Sequence, residues 1–218
     1  MQLKPIISPE QAVTKIKPND RVMIGGFMAT GSPLTIIDHM VKSGAGELNL
    51  ICNDTGLIDK GIGKLISNKQ AKSLKASHIG LNPETGRQMT NGELDVELIP
   101  QGTLVERIRS GGAGIGGFLT KTGLGTIVEE GKEIITVNGE EFLLELPLTA
   151  DVALLKASVV DKAGNCIFNK TTRNFNPLIA TAATLVIVEA EQIVEVGEVD
   201  ADRFMLPGTF IDFIVAAG

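Results

Sequence analysis

Residues Val22 to Pro33 read VMIGGFMATGSP. An apolar run ends in the pair Gly25-Gly26, a Phe follows, and a third glycine, Gly31, comes five residues after the second. This is the pattern of a buried strand running into a tight turn. Beyond Pro33, the apolar residues Leu34, Ile36, Ile37, Met40 and Val41 keep the 3.6-residue period of a helix, and Gly44 is placed to close it. Strand, glycine turn and helix in that order predict a turn at the carboxyl end of a parallel sheet, where open α/β folds bind ligands.

The same order recurs on either side. Ser8-Pro9-Glu10-Gln11 predicts a helix start, with Ser8 as N-cap, Pro9 in the first position and Gln11 at capping-box distance. LNLICND (48–54) reads as a second strand, GIGKLISNKQ (61–70) as a short helix and LKASHIG (74–80) as a third strand. ELDVELIP (93–100) alternates like a strand, and TLVERIRS (103–110) reads as a helix starting near Thr103. The glycine-rich run 111–126 breaks the alternation, and Asn138-Gly139 between two alternating segments predicts a hairpin. DVALLKASVVD (151–161) and TLVIVEAEQIV (184–194) are strand-like, NPLIATAA (176–183) between them predicts a helix, and FIDFIVAA (210–217) a final strand or docking segment. The fold class is therefore α/β: a mainly parallel open sheet with helices on both faces, plus a small antiparallel β-rich element. The expected organisation is a single domain over 1–218, with the β-rich insertion at about 111–148.

Composition narrows the function. The chain of 218 residues is 43% hydrophobic but has no Trp or Tyr and only eight Phe, so its core is aliphatic and poorly equipped to stack bases or sugars. A net charge of −6 argues against a nucleic-acid partner. Cys52 and Cys166 form neither a metal pattern nor a disulfide framework, and a reducing, cytoplasmic compartment is the simple reading. The first residues, MQLKPIISPEQAV, lack a signal-peptide layout, and no segment approaches a membrane span. No His/Cys/Asp/Glu cluster has metal-ligand spacing.

The glycine turn itself has two readings. Glycines after a strand can serve only to reach positive φ. Alternatively they let backbone N–H groups approach a ligand, and the N-terminus of the helix after Pro33 favours an anionic group; a phosphate-bearing or pantetheine-like ligand would suit. Neither the Walker lysine nor the Gly-x-Gly-x-x-Gly spacing is present.

GGFMATGSP resembles the coenzyme A-binding motif of the A (alpha) subunit of family I coenzyme A transferases. NDTGLIDKGIGKLI, HIGLNPETGRQM, GELDVELIPQGTLVERIRSGGAGIGGFLTKTGLGT and RNFNPLIA are similar to the same family in the same order, so the resemblance spans almost the whole chain. It is nearest to the short-chain type acting on acetate, butyrate and acetoacetate. The resemblance implies transfer of coenzyme A between a short-chain acyl-CoA and a free carboxylate, by a ping-pong route through a glutamyl-CoA thioester. In that family the glutamate belongs to the B (beta) subunit, within a Glu-Asn-Gly context that this chain lacks. It also implies an A2B2 heterotetramer, coenzyme A as substrate and no tightly bound cofactor.

On this basis Gly25, Gly26, Phe27, Met28, Ala29, Thr30 and Gly31 are the expected coenzyme A turn, with Phe27 alternatively a core residue. Gln101, in PQGTL, is the expected donor to the thioester oxyanion; its competing reading is a cap on the helix near Thr103. Asn53 and Asp54 either project into the same crevice or form an Asx turn. The run 111–126 is either a wall over the site or a set of tight turns. Glu106 and Arg107 read as surface charges, and Arg109 as a surface charge or a carboxylate or phosphate contact. His78 reads as a structural histidine, His39 as surface or interface, Cys52 as core, and Asn174 and Asn176 as caps or partner contacts. Two other functions fit: a succinyl-CoA:3-oxoacid transferase subunit, and a non-catalytic ligand-sensing module of related fold.

Overall fold

The computed structural model describes residues 2–218. A two-residue strand β1 (Ile6–Ile7) precedes helix α1 (Pro9–Val13). Ser8 and Gln11 form the expected reciprocal capping pair there. Then come β2 (Arg21–Ile24), α2 (Leu34–Ser43), β3 (Leu48–Ile51), α3 (Ile62–Ser67), β4 (Ala71–Ala76), α4 (Pro83–Thr90), β5 (Asp95–Leu98) and α5 (Gln101–Gly112). Three short strands, β6 (Phe118–Thr120), β7 (Ile134–Val137) and β8 (Glu140–Glu145), lead to the long β9 (Ala150–Asp161). The chain ends with β10 (Cys166–Ile167), the single turn α6 (Asn176–Ile179), β11 (Ala183–Val194) and β12 (Phe213–Ala216).

The main sheet has nine strands, in the order β1-β12-β11-β9-β2-β3-β4-β5, with β10 paired only to β9. Every pair along that path is parallel, and β10 is antiparallel. From β2 the chain winds outward through β3, β4 and β5; from β9 it winds the other way through β11 and β12. The connections after β2 and β9 thus diverge and leave a crevice at their carboxyl ends.

Each face of the sheet has its own core. Ala12, Ile36, Met40 and Leu65, from α1 to α3, pack on Val22, Ile24, Leu50 and Leu154. On the other face Leu104 and Ile108 of α5 and Ile179 of α6 pack on Met23, Ala153, Leu155 and Val188. The second sheet has the order β6-β8-β7 and is antiparallel. Asn138 (φ 52°) and Gly139 (φ 83°) make the two-residue turn of its hairpin, as expected. Among the described residues no helix is long and apolar enough to cross a membrane.

Three differences from the sequence expectation bear on the site. The third strand stops at Ala76, because the N–H groups of Ser77 and His78 both turn onto Asn53 O and end the ladder. Helix α4 was not expected: Asn82 caps it and Pro83 opens it, but its buried positions are the polar Thr85 and Gln88, so no apolar stripe announced it. Helix α6 stops at Ile179, because Ala183 already pairs with Ala150 and begins β11.

Candidate active site

The connections after β2, β3 and β4, the start of α5 and the segment before α6 meet at the carboxyl edge of the sheet. They enclose a cavity of about 890 Å³. Its apolar wall is Phe27, Met28, Leu81, Val105, Phe175 and Leu178. Its polar residues are Asn53, Ser77, His78, Gln101 and Asn174. The described wall holds no Asp, Glu, Lys or Arg, and its one histidine is His78. That lining suits the neutral arm of a thioester better than a diphosphate.

The glycine turn is a miniature hairpin. Phe27 N donates to Thr30 O at 3.0 Å and Thr30 N to Phe27 O at 2.8 Å. Met28 (φ 48°) and Ala29 (φ 67°) sit between them in the left-handed conformation that such turns usually give to Asn-Gly. Two L-residues are strained there, and the surroundings must hold them. Asp54, buried at the end of β3, accepts from Met28 N at 3.0 Å and from Gly56 N at 2.6 Å. Asp54 thus makes an Asx turn and clamps the tip at once, and it does not line the cavity. Phe27 and Met28 are about half exposed on the cavity lip, so the core reading of Phe27 is set aside.

The glycines face the protein. A Cβ on Gly25 would lie 1.9 Å from Asn176 Oδ1, one on Gly26 1.9 Å from Ser32 Oγ, and one on Gly31 2.4 Å from Thr172 O. Gly26 (φ 122°) and Gly31 (φ 74°) also need positive φ. Most N–H groups of the turn are already bonded, Gly25 to Leu154 O, Gly26 to Asn174 Oδ1 and Met28 to Asp54. The N-terminus of α2 is filled by the carboxylate of Glu189, which accepts from Ile36 N at 3.0 Å. The expected open anion-binding turn is therefore corrected: its close packing serves the segment 172–176, and Phe27 and Met28 are its cavity-facing residues.

A relay of side-chain amides aims Gln101. Asn53 Nδ2 donates to Gly26 O at 2.8 Å, which fixes the orientation of the buried Asn53 amide. Its Oδ1 then accepts from Gln101 Nε2 at 2.6 Å, and Gln101 Oε1 accepts from the Ser77 hydroxyl. One N–H of Gln101 is spent on Asn53, and the other remains on an exposed side chain at the cavity. Helix α5 begins at Gln101 behind Pro100 and has no side-chain cap, so the capping reading is set aside.

Asn174 and Asn176 do not cap α6. Asn174 accepts from Gly26 N and donates to Thr30 O at 3.1 Å, and Asn176 donates to Gly31 O at 3.0 Å. They brace the turn from the opposite wall, a role that nothing local in the sequence announces. Arg109 pairs with Glu106 at 2.8 Å and does not line the cavity. Arg107 is corrected from surface charge to a tie between the two sheets, donating to Glu97 and to Leu146 O at 2.8 Å each. The run 111–126 contributes no cavity residue, so it is not a wall of this site. Burial pushes the Cys52 and Cys166 thiols well above their ordinary pKa, with Asp54 and Asp161 adding to the shift, and neither has thiolate character.

The sequence profile described as Coenzyme A transferase matches residues 6–217. The chain belongs to the coenzyme A transferase family. It is 55% identical over 210 residues to the acetoacetyl-CoA:acetate/butyrate CoA transferase alpha subunit of Clostridium acetobutylicum, covering 96% of each chain. It is 52% identical over 196 residues to the acetate CoA-transferase subunit alpha of Escherichia coli K12, covering 90% of this chain and 89% of that one. The solved acyl-CoA transferase from E. coli O157:H7, a thioester complex with CoA, superposes with a TM-score of 0.91 at 19% identity, over 98% of this chain and 47% of that one. This last likeness is one of fold, and the transferase chain spans about half of that longer protein.

Phe27 and Met28 of the turn, and Gln101, all expected from the sequence resemblance, line one cavity together with Asn53. The residues alone gave no cavity role to Asn174, Phe175 and Leu178 on the far wall, nor to His78 after β4, all of which line it.

Proposed function

We propose that this chain is the alpha subunit of a two-chain coenzyme A transferase that moves coenzyme A between acetoacetyl-CoA and a short-chain acid such as acetate or butyrate. The observation that carries the reading is an amide donor, Gln101, held by Asn53 and Ser77 at the lip of a cavity whose described wall has no carboxylate. The nucleophile is then a glutamate of the beta subunit. Its carboxylate oxygen attacks the thioester carbonyl and expels the coenzyme A thiolate, leaving a mixed anhydride. The thiolate attacks the glutamyl carbonyl and releases the first acid, and the resulting glutamyl-CoA thioester repeats the sequence with the second acid. The spare N–H of Gln101 donates to the oxyanion formed at each addition, a contribution of about 3 kcal/mol for one such donor.

The uncharged wall also favours acyl groups without a second charge, since burying a carboxylate there brings no fixed cation to pair it. Two alpha and two beta chains per enzyme is the expected assembly. The test is transfer by the purified two-chain complex from acetoacetyl-CoA to acetate, butyrate and succinate. Acetyl-CoA and butyryl-CoA should form, with succinate poorer by at least about tenfold in kcat/KM. Preference for succinate would assign the succinyl-CoA:3-oxoacid activity instead, and no transfer to any acid would leave the ligand-sensing reading.

A further inference from the structure

Helix α2 begins at Leu34 directly behind the coenzyme A turn, and its N-cap, Pro33, has no side-chain oxygen to offer. Ile36 is fully buried, so its N–H, the third of the helix, would be left without a partner in apolar surroundings. The missing cap comes from the far side of the switch point. Glu189, fully buried on β11, places Oε2 3.0 Å from Ile36 N. Its Oε1 lies 3.1 Å from Lys156 Nζ on the adjacent strand β9, where the two residues are register partners. A carboxylate at this helix end is favoured both by the hydrogen bond and by the helix dipole.

The same strand residue holds the other end of the turn. Strand β2 pairs with β9 only as far as Leu154 and then peels away. The Asn176 side chain takes the vacated ladder position, accepting from Lys156 N at 3.1 Å and donating to Gly31 O at 3.0 Å. Gly31 and the start of α2 are thus tied to β9 and β11 through one polar network, while Gly25 N bonds directly to Leu154 O of β9.

We propose that Glu189 and Lys156 are positioning residues for coenzyme A binding. The pair sets where α2 starts, and so the height at which Phe27 and Met28 stand over the cavity. The proposal rests on the transferase reading above. It gives a buried carboxylate and its partly buried lysine, which also reaches Glu191 at 3.6 Å, a task that an apolar pair of equal volume could not perform, because only an oxygen at residue 189 satisfies Ile36 N–H.

The test compares two double variants in the assembled two-chain enzyme. Lys156→Met/Glu189→Leu removes both charges together, leaving no unpaired buried ion, and also removes the oxygen. Lys156→Met/Glu189→Gln removes the charges and keeps the oxygen. The leucine variant should raise KM for acetoacetyl-CoA about tenfold while kcat and KM for acetate stay within about threefold. Amide hydrogen exchange in peptides spanning 25–37 should quicken, and the glutamine variant should recover most of both effects. Unchanged KM and unchanged exchange at 25–37, with only a lower Tm, would overturn the proposal. Should the leucine variant fail to assemble, the single variant Glu189→Asp, which keeps the charge but draws the oxygen back from Ile36 N, is read in the same way: a smaller KM rise with quicker exchange supports the proposal, and no change in either overturns it. If the wild-type complex transfers no coenzyme A, the functional reading fails, whereas the exchange comparison still decides whether the pair holds the turn.

Discussion

Two stretches of this chain are rich in glycine, and they use it differently. In the turn after β2, Gly25, Gly26 and Gly31 are pressed against Asn176, Ser32 and Thr172, and no side chain fits. In the run 111–126, Gly111, Gly112, Gly117 and Gly123 are packed against Leu148, Thr181, Glu145 and Val128, but nothing lies within 4 Å of a Cβ built on Gly114, Gly116 or Gly125. The first stretch lines the cavity and is bound on both sides by buried amides and carboxylates. The second joins α5 to the small sheet and stays outside the site. Glycine content therefore says little about mobility; what matters is whether the vacated Cβ volume is filled. In the turn it is filled by the protein, which holds Met28 and Ala29 in a conformation they would not choose.

The comparison can be broken by filling those volumes. Gly31→Ala should have the largest effect, because the new Cβ meets a backbone oxygen at 2.4 Å and the residue keeps φ at 74°. A loss of about 3 kcal/mol in urea unfolding is expected, together with loss of transfer activity. Gln101→Ala comes next and separates chemistry from stability. It should lower kcat about 100-fold, while leaving Asn53 Oδ1 without its donor costs about 1 kcal/mol. Equal losses in kcat and in folded fraction would remove Gln101 from the chemistry. Asp54→Asn should be milder. Met28 N and Gly56 N donate to different oxygens of Asp54, so the NH2 of an asparagine would face one of them and leave it orphaned, at about 2 kcal/mol. Steady-state assays should show this mainly as a raised KM for acetoacetyl-CoA. Gly116→Ala should be nearly silent, within about 0.5 kcal/mol of wild type by thermal unfolding and with activity unchanged. A large effect at Gly116 would mean that the second glycine stretch also closes on something.

Much of the architecture is written locally. The apolar period of α2, the Ser8–Gln11 capping pair and the Asn138-Gly139 turn are short-range signals, and each forms as read. The reach of the site is not local. Glu189 lies 153 residues from Ile36, and Asn176 lies 145 from Gly31, so neither contact leaves a mark in the surrounding sequence. Glu189 sits inside a strand pattern, where a single acidic residue looks like a solvent-facing position. Arg107 misled for the matching reason: helix α5 reads as charged on one face, and only the docking of β8 turns that face inward. Helix α4 hides because its buried Gln88 donates to Ile66 O instead of packing as a hydrophobe. The anion-binding expectation for the turn failed on the same ground, since the helix end it required is filled from a distant strand.

In the proposed division of labour this chain binds and orients the thioester, and its partner supplies the carboxylate that attacks it. The most direct test is the intact mass of each chain of the two-chain complex after acetoacetyl-CoA and borohydride reduction, beside this chain treated alone. The expected result is a mass change confined to the beta subunit, with this chain unmodified in both samples. A reduced adduct on this chain would contradict the account and place the nucleophile among its own carboxylates.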